Sequence, residues 1–231
     1  DYLNVKYCFE YPNFKSVIPL YLNHKIDKKS FGNVLKFREK AFLKLHQFIY
    51  KNINGIIATD LDYHLPLQGN KKYLGMIPNP INIGKLHFEP LNIHDKIVIF
   101  HGINNENYLK KGNDYFEKAL EIIEQKYASK VEIITVRSIP YAEYINLYNS
   151  CHILLDQIYA YDQGYNALEA MAKGKVVFTG AEKEFTARYN LQEKVCINAI
   201  PDVNYLVSEL SFLIENPEEI TAIGRRAKDF I

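Results

Sequence analysis

The stretch from Asp156 to Gly180, DQIYAYDQGYNALEAMAKGKVVFTG, constrains the fold of this chain more than any other. It begins within the apolar run 152–158, which predicts a strand, and the helical spacing of apolar residues in 165–173 predicts a short helix. Gly174 suits the C′ position of that helix, and residues 176–178 predict a second buried strand. A strand that leads into a loop and a helix N-terminus is where open α/β sheets bind anionic ligands.

Strands and helices alternate throughout the C-terminal part of the chain. The predicted strands are 96–100, 131–136, 152–158, 176–178 and 195–197, and the predicted helices are 115–126, 142–150, 165–173, 185–189, 203–214 and 217–230. Strict alternation with short connections is typical of an α/β protein with a doubly wound, Rossmann-type parallel sheet.

The N-terminal part shows a partial α/β pattern. We predict a helix over 33–52, strands at 56–58 and 73–77, a polar connector over 60–70 and a short strand or turn at 17–22. Pro78 and Pro80 predict a stiff, extended linker. The charge changes sign near this linker, because residues 1–83 carry 12 Lys and Arg against 6 Asp and Glu, whereas residues 84–231 carry 16 against 21. We therefore predict a partial N-terminal domain with its linker over 1–83 and a second domain over 84–231.

Bulk properties exclude several classes of protein. The net charge of +1 gives no general attraction to nucleic acid. The cysteines Cys8, Cys151 and Cys196 are few and widely spaced, which argues against a disulfide framework or a zinc site and favours a reducing compartment. No apolar run is long enough for a transmembrane helix, and the first residues do not read as a signal peptide. We therefore expect a cytoplasmic protein.

Four motifs occur in order along the second domain. They are Gly102 followed by Lys111-Gly112, then Pro140-Tyr141 with Glu143-Tyr144, then the strand 153–158, and finally Gly164 with Leu168-Glu169-Ala170-Met171-Ala172 and Gly174. Together they resemble the C-terminal, donor-binding domain of a retaining GT-B glycosyltransferase of the large group 1 family, also called family 4. The last motif is the specific one, since it matches the family pattern G…LEAMAxGxPVV. Residues 34–82 resemble the end of the N-terminal domain of such an enzyme.

The resemblance implies roles for the start of the helix over 165–173. Glu169 would accept hydrogen bonds from the ribose hydroxyls of a nucleotide sugar. The alternative interpretation is that Glu169 is a solvated helix glutamate or a helix cap without a ligand. Gly164, Tyr165 and Asn166 would present backbone N–H groups to the diphosphate, and the alternative for Gly164 is an ordinary turn glycine.

Other donor-binding residues are expected near the end of the strand over 96–100. The resemblance assigns Lys111 to the diphosphate and makes it a candidate catalytic residue, although Lys110 could be the contact instead, or both lysines could be solvated. Gly102 would let the backbone approach a phosphate or sugar, unless it only forms a turn. His101 is the histidine most expected to touch the ligand, because it lies where this strand ends.

The sequence departs from the family pattern at two positions. Ile103-Asn104 stands where an arginine is usual, so phosphate charge would be met by lysine and the helix dipole unless Arg137 takes part. Tyr161 stands where the family has a sugar-binding glutamate, eight positions before the ribose-binding acid. Asp162, one residue further on, is therefore a candidate catalytic residue in place of that glutamate.

Three functions fit these patterns. The first is transfer of a sugar, with retention and without metal or cofactor, from a UDP-sugar or GDP-sugar to a glycan or lipid-linked acceptor in bacterial cell-surface polysaccharide biosynthesis. The basic N-terminal part would then face an anionic lipid-linked acceptor at the inner face of the cell membrane. The second is a nucleotide-diphosphate-binding module, or an incomplete glycosyltransferase, without turnover. The third is an unrelated Rossmann oxidoreductase, against which the sequence offers no G-x-G-x-x-G after a strand.

Overall fold

The chain forms two compact units, residues 1–79 and residues 80–231. A computed structural model describes residues 2–88, 90–93 and 95–231. The boundary expected from the sequence, after residue 83, lies a few residues further along the chain than the division between the units.

The first unit is mainly helical and contains a small parallel sheet. Its elements are α1 (Tyr2–Glu10), α2 (Ile18–Leu22), α3 (Gly32–Leu35), α4 (Lys40–Asn52), β1 (Ile56–Ala58), α5 (Leu61–Leu67) and β2 (Tyr73–Met76). Strands β1 and β2 pair in parallel, with α5 as their connection. The two strands predicted at 56–58 and 73–77 are therefore confirmed.

The helices of this unit differ from the predicted ones in three places. The single helix expected over 33–52 is interrupted at Glu39, whose extended backbone (φ −70°, ψ 154°) separates the helical turns at 32–38 from α4. The polar connector expected over 60–70 contains α5, because the Asp60 side chain accepts a hydrogen bond from the N–H of Tyr63 at 3.1 Å and caps the helix. Residues 18–22 form a short helix, whereas a short strand or turn was expected over 17–22.

Apolar side chains of α4 remain exposed to a large degree. Phe48 is 69% exposed and Leu45 is 50% exposed, and Leu74 of β2 is 71% exposed. The apolar stripe of this helix is therefore only partly buried by the residues that the structure describes.

The second unit is a five-stranded parallel sheet with helices between the strands. Its elements are β3 (Ile97–Ile103), α6 (Tyr108–Lys111), α7 (Asn113–Tyr127), β4 (Val131–Arg137), α8 (Tyr141–Ser150), β5 (Ile153–Leu155), α9 (Tyr165–Ala172), β6 (Val176–Thr179), α10 (Lys183–Arg188), β7 (Ile197–Asn198), α11 (Val203–Glu215) and α12 (Pro217–Phe230). The strand order is β4-β3-β5-β6-β7, and every pairing is parallel. The predicted doubly wound α/β sheet is confirmed.

The order of the strands creates a switch point beside β3. The chain passes from β3 to β4 on one side of it and then to β5 on the other. Open α/β sheets bind ligands in the crevice at the carboxyl ends of the strands that flank such a point. A ligand site is therefore expected at the residues that follow β3 and β5.

A continuous apolar core covers one face of this sheet. Helices α7 and α11 supply fully buried residues to it, including Phe116, Ile123 and Leu210, and these pack against Ile99 and Ile153 of the central strands. Burial on this scale holds the strand ends in fixed positions, since a well-packed core resists small displacements. In the described part of the chain, no helix combines the length and the apolar character that crossing a membrane requires.

Candidate functional site

A buried carboxylate, that of Asp156, lies at the carboxyl end of β5, next to the switch point. Asp156 is only 4% exposed. Its Oδ1 accepts hydrogen bonds from Lys111 Nζ at 2.8 Å and from Asn166 Nδ2 at 2.9 Å, and its Oδ2 accepts one from Thr179 Oγ1 at 3.2 Å. This carboxylate therefore joins the end of α6, the start of α9 and the end of β6. The sequence motifs give Asp156 no role, because it lies within the strand predicted over 152–158, and the structure shows that β5 ends just before it.

Lys111 reaches Asp156 because the chain turns sharply at the junction of α6 and α7. Gly112 has φ +71°, and a Cβ atom there would lie 2.9 Å from Cβ of Ile158. The N–H of Ile158 donates to the carbonyl of Lys111 at 2.9 Å, which fastens the end of α6 to the loop after β5. The side chain of Lys111 keeps 27% of its surface exposed. Of the two candidate lysines, Lys111 lies in this network and Lys110 is exposed.

The N-terminus of α9 offers backbone donors beside this ion pair. Gly164 has extended backbone angles, and a Cβ atom at this position would meet nothing within 4 Å. No side chain of the described residues caps this helix. The N–H groups of Tyr165, Asn166 and Ala167 have no carbonyl within α9 to bond, as in the first turn of any helix. They are thus arranged to receive an anionic group, with the helix dipole in support.

The side chain of Asn166 is held at both ends. Its Nδ2 donates to Asp156, and its Oδ1 accepts from the Tyr144 hydroxyl at 2.8 Å. The Tyr148 hydroxyl donates to the Asn166 carbonyl at 2.7 Å. Burial, with a smaller contribution from nearby negative charges such as that of Asp156, raises the pKa of both tyrosines, so both remain donors. Because both ends of this side chain are held by protein groups, the backbone N–H of Asn166 is the group that an anion at the helix N-terminus would contact.

Glu169 lies one turn into α9 and is half-buried. Among the residues that the structure describes, its carboxylate has no hydrogen-bonding or ion-pair partner. An acid in this position is available to an external donor such as a pair of ribose hydroxyls. Its predicted role stays a prediction.

His101 and Gly102 lie inside β3 rather than beyond its end, because this strand continues to Ile103. The His101 ring is fully buried, with Nε2 2.9 Å from Asn113 Oδ1 and its plane edge-on to Phe116. Burial lowers the pKa of this histidine. In this structure the ring therefore belongs to the core rather than to the surface of the crevice, and the expected contact of His101 with a ligand stays a prediction.

The space beside Gly102 is occupied by a side chain, that of Tyr144. A Cβ atom at this position would lie 2.4 Å from Cε2 of Tyr144 and 3.2 Å from two ring atoms of Phe100. The absence of a side chain at Gly102 allows the Tyr144 ring to lie against β3. That ring in turn places the hydroxyl that binds Asn166.

The segment that replaces the sugar-binding glutamate of the family is buried. Tyr161, Asp162 and Gln163 are 9%, 6% and 5% exposed. Gln163 Nε2 donates to the carbonyl of Gly180 at 2.6 Å and anchors the loop to the end of β6. Burial, together with the nearby Asp162 carboxylate, raises the pKa of the Cys196 thiol to about 12. The Asp162 side chain, the candidate substitute for the glutamate, is therefore buried in this structure.

Arg137, the substitute for the absent family arginine, is engaged elsewhere. It forms an ion pair with Glu117 and lies over the ring of Tyr108, 5.3 Å from its centroid. Burial and the hydrogen bond to Glu117 raise the pKa of the Tyr108 hydroxyl to about 12. Arg137 is therefore part of a surface cluster between β4, α6 and α7.

Comparison with known proteins identifies the class. The model of the family described as "Glycosyl transferase-like" matches residues 105–231, more than half of the chain. The chain belongs to this family. None of the curated proteins searched matches it. The resemblance to the C-terminal domain of a group 1 GT-B glycosyltransferase is confirmed, and the oxidoreductase alternative has no support.

Solved structures of GT-B glycosyltransferases share the fold. Sucrose-phosphate synthase from Thermosynechococcus elongatus has a TM-score of 0.59 at 18% identity, over 85% of this chain and 60% of that protein. A TarM variant from S. aureus in complex with fondaparinux, alpha-GlcNAc-glycerol and UDP has a TM-score of 0.57 at 15% identity, over 78% and 41%. HepE from Anabaena in complex with UDP and glucose has a TM-score of 0.54 at 15% identity, over 76% and 57%. The chain thus spans between 41% and 60% of these proteins, and the likeness shows the fold alone.

Proposed function

We propose that the second unit binds the nucleoside diphosphate of a UDP-sugar or GDP-sugar, and that the protein transfers the sugar to a glycan or lipid-linked acceptor. The observation that carries this proposal is the uncapped N-terminus of α9 beside the partly exposed side chain of Lys111. Helix N-terminal N–H groups and a lysine are typical donors to phosphate oxygens. In glycosyl transfer they would stabilise the negative charge that grows on the departing diphosphate. Family membership supports the same chemistry.

Nucleotide titration tests the donor site directly. Calorimetry with UDP and with GDP should detect binding of at least one of them, and Glu169→Gln should weaken it by about tenfold or more, since it replaces a charged acceptor of hydroxyl groups by a neutral one. Glu218→Gln, an exposed change in the first turn of α12, is the matched control and should leave the affinity unchanged. Absence of binding by either nucleotide to the unmodified chain would refute the donor site.

We propose the acceptor-side role for the first unit. A cavity of about 420 Å³ lies within it, lined by aliphatic residues and by the aromatic rings of Tyr2, His46, Tyr50 and Tyr63. This volume is in the usual range for small-molecule sites, which combine apolar walls with a few polar groups. Tyr50→Ala should then lower the transfer rate without altering nucleotide affinity. Equal loss of nucleotide affinity would argue against a separate acceptor site.

The finer features of the reaction are proposals as well. The family resemblance supports retention, independence of metal and a place in bacterial cell-surface polysaccharide synthesis. The basic residues 1–83 support contact with the inner face of the cell membrane. The anomeric configuration of the product, read by NMR, tests retention. Transfer that persists in EDTA supports independence of metal, and transfer that stops there refutes it.

A second candidate function is nucleotide binding without turnover. The burial of Tyr161 and Asp162 favours it, because no acid of this segment is exposed where the family pattern places a sugar-binding glutamate. Release of UDP or GDP from the sugar nucleotide in the presence of acceptors distinguishes the two functions. The second candidate would be selected if the protein binds nucleotide tightly but releases UDP or GDP from the sugar nucleotide no faster than the Glu169→Gln variant does.

A further inference from the structure

We propose that Asp156 is the positioning residue of the donor site, which fixes both the Lys111 ammonium and the first turn of α9 for the diphosphate. The proposal rests on the proposed function, since it concerns the same phosphate site. Lys111 Nζ and Asn166 Nδ2 both bind one oxygen atom, Asp156 Oδ1, at 2.8 Å and 2.9 Å. A single buried atom thereby sets the separation between the lysine charge and the helix N-terminus.

The burial of this carboxylate argues for a role beyond stability. A carboxylate loses strong hydration when it is buried, and apolar residues of similar volume often serve a core equally well. Three donors converge on the Asp156 carboxylate from α6, α9 and β6 and replace part of that lost hydration. Two of these elements, α6 and α9, must keep a fixed separation if a diphosphate is to contact Lys111 and the first turn of α9 at once.

Lys111 retains capacity for a ligand while it is paired. An ammonium group has three N–H donors, and a single hydrogen bond, that to Asp156, is present among the described residues. The side chain is 27% exposed, whereas that of Asp156 is 2% exposed, so a ligand would reach the lysine and not the aspartate. The backbone of Lys111 is also held, by the N–H of Ile158 at 2.9 Å. Asp156 thus removes the freedom of a long side chain before the ligand arrives.

The test compares Asp156→Asn with Thr179→Val in the full chain. Asp156→Asn keeps the shape and removes the charge that holds Lys111. Thr179→Val removes only the donor to Oδ2 and leaves both contacts of Oδ1 intact. With whichever of UDP or GDP binds the unmodified chain, we expect about tenfold weaker binding for Asp156→Asn and less than twofold change for Thr179→Val. The corresponding nucleoside, uridine or guanosine, should bind all three proteins equally, because it lacks the diphosphate.

Two further measurements separate positioning from a general structural role. In a Lys111→Gln background, Asp156→Asn should cause a smaller loss of diphosphate affinity than in the unmodified chain, because only its contact with Asn166 remains to be lost. In the unmodified chain, the Lys111 amine should react slowly with an acylating reagent, and Asp156→Asn should speed that reaction several-fold while Lys110 reacts at an unchanged rate.

Unchanged diphosphate binding by Asp156→Asn would overturn the proposal, because the carboxylate would then contribute nothing to the site. Tighter binding would overturn it too, because the carboxylate would then only repel the ligand. An equal loss for the diphosphate and for the nucleoside would overturn it as well, since that result indicates a general loss of structure. Failure of the unmodified chain to bind UDP or GDP would instead refute the donor site itself, and the positioning role with it.

Discussion

Replacement of Gly102 by alanine tests whether this glycine accommodates Tyr144 or a ligand. The added Cβ would lie 2.4 Å from Cε2 of Tyr144, whereas carbon atoms in contact are about 3.5–4.0 Å apart. The ring must therefore retreat by about 1 Å or more. Its hydroxyl is held by a 2.8 Å hydrogen bond to Asn166, so this displacement would lengthen or break that bond.

The expected cost follows from two opposing terms. Overpacking of this kind destabilises a protein by about 1–3 kcal/mol, and loss of the hydrogen bond adds about 1 kcal/mol. Alanine recovers about 0.5–1 kcal/mol by restricting the unfolded chain. We expect a net loss of about 2 kcal/mol for Gly102→Ala, which corresponds to a melting temperature lower by about 4–8 °C.

Thermal and urea unfolding in two backgrounds provides the assay. In Tyr144→Phe the ring remains, so Gly102→Ala should still cost about 1–2 kcal/mol. In Tyr144→Ala the ring is absent, so Gly102→Ala should be neutral or slightly stabilising. An equal cost in both backgrounds would refute the contact with Tyr144. A variant that is fully stable but no longer binds nucleotide would show that Gly102 faces the ligand instead.

Two further predictions concern stability. Gly224→Ala should cost about 2–3 kcal/mol by urea unfolding, because its Cβ would lie 2.1 Å from the Gly174 carbonyl oxygen, whereas Gly32→Ala, with nothing within 4 Å, should cost nothing. The pKa of His101 is lowered by burial, so the folded state binds fewer protons than the unfolded state. Its stabilising contribution is complete above the unfolded pKa of about 6.5 and is lost as the pH falls from there towards the folded pKa. His101→Gln should flatten the pH dependence of the unfolding free energy below about pH 6.5, and an unchanged slope would contradict the assignment.

Local patterns predicted the second unit well. The helix after Gly164, its end at Gly174, where φ is +79°, and Pro217 at the first position of α12 are all present. These features depend on neighbours within a few residues, so the sequence displays them directly. The prediction failed at Glu39 in the first unit, where the extended backbone of one residue interrupts a regular helical pattern.

The environment of single side chains was less predictable. His101 and Gly102 follow the apolar run that predicts their strand, and the sequence does not show that β3 continues through them to Ile103. That extension, through parallel pairing with β4, buries the histidine that the pattern placed at the crevice. Pairing with a distant strand decides such an end, and no local signal marks it.

The sequence by itself therefore determined the class of fold and the glycosyltransferase-like family, and it pointed to the segment that contains the candidate site. Only the tertiary structure decided how the site is built. The donors to Asp156 come from residues that are 45, 10 and 23 positions away, on three different elements. Periodicity records which residues share a face of one helix or strand, whereas this network exists because the sheet brings the ends of separate strands together.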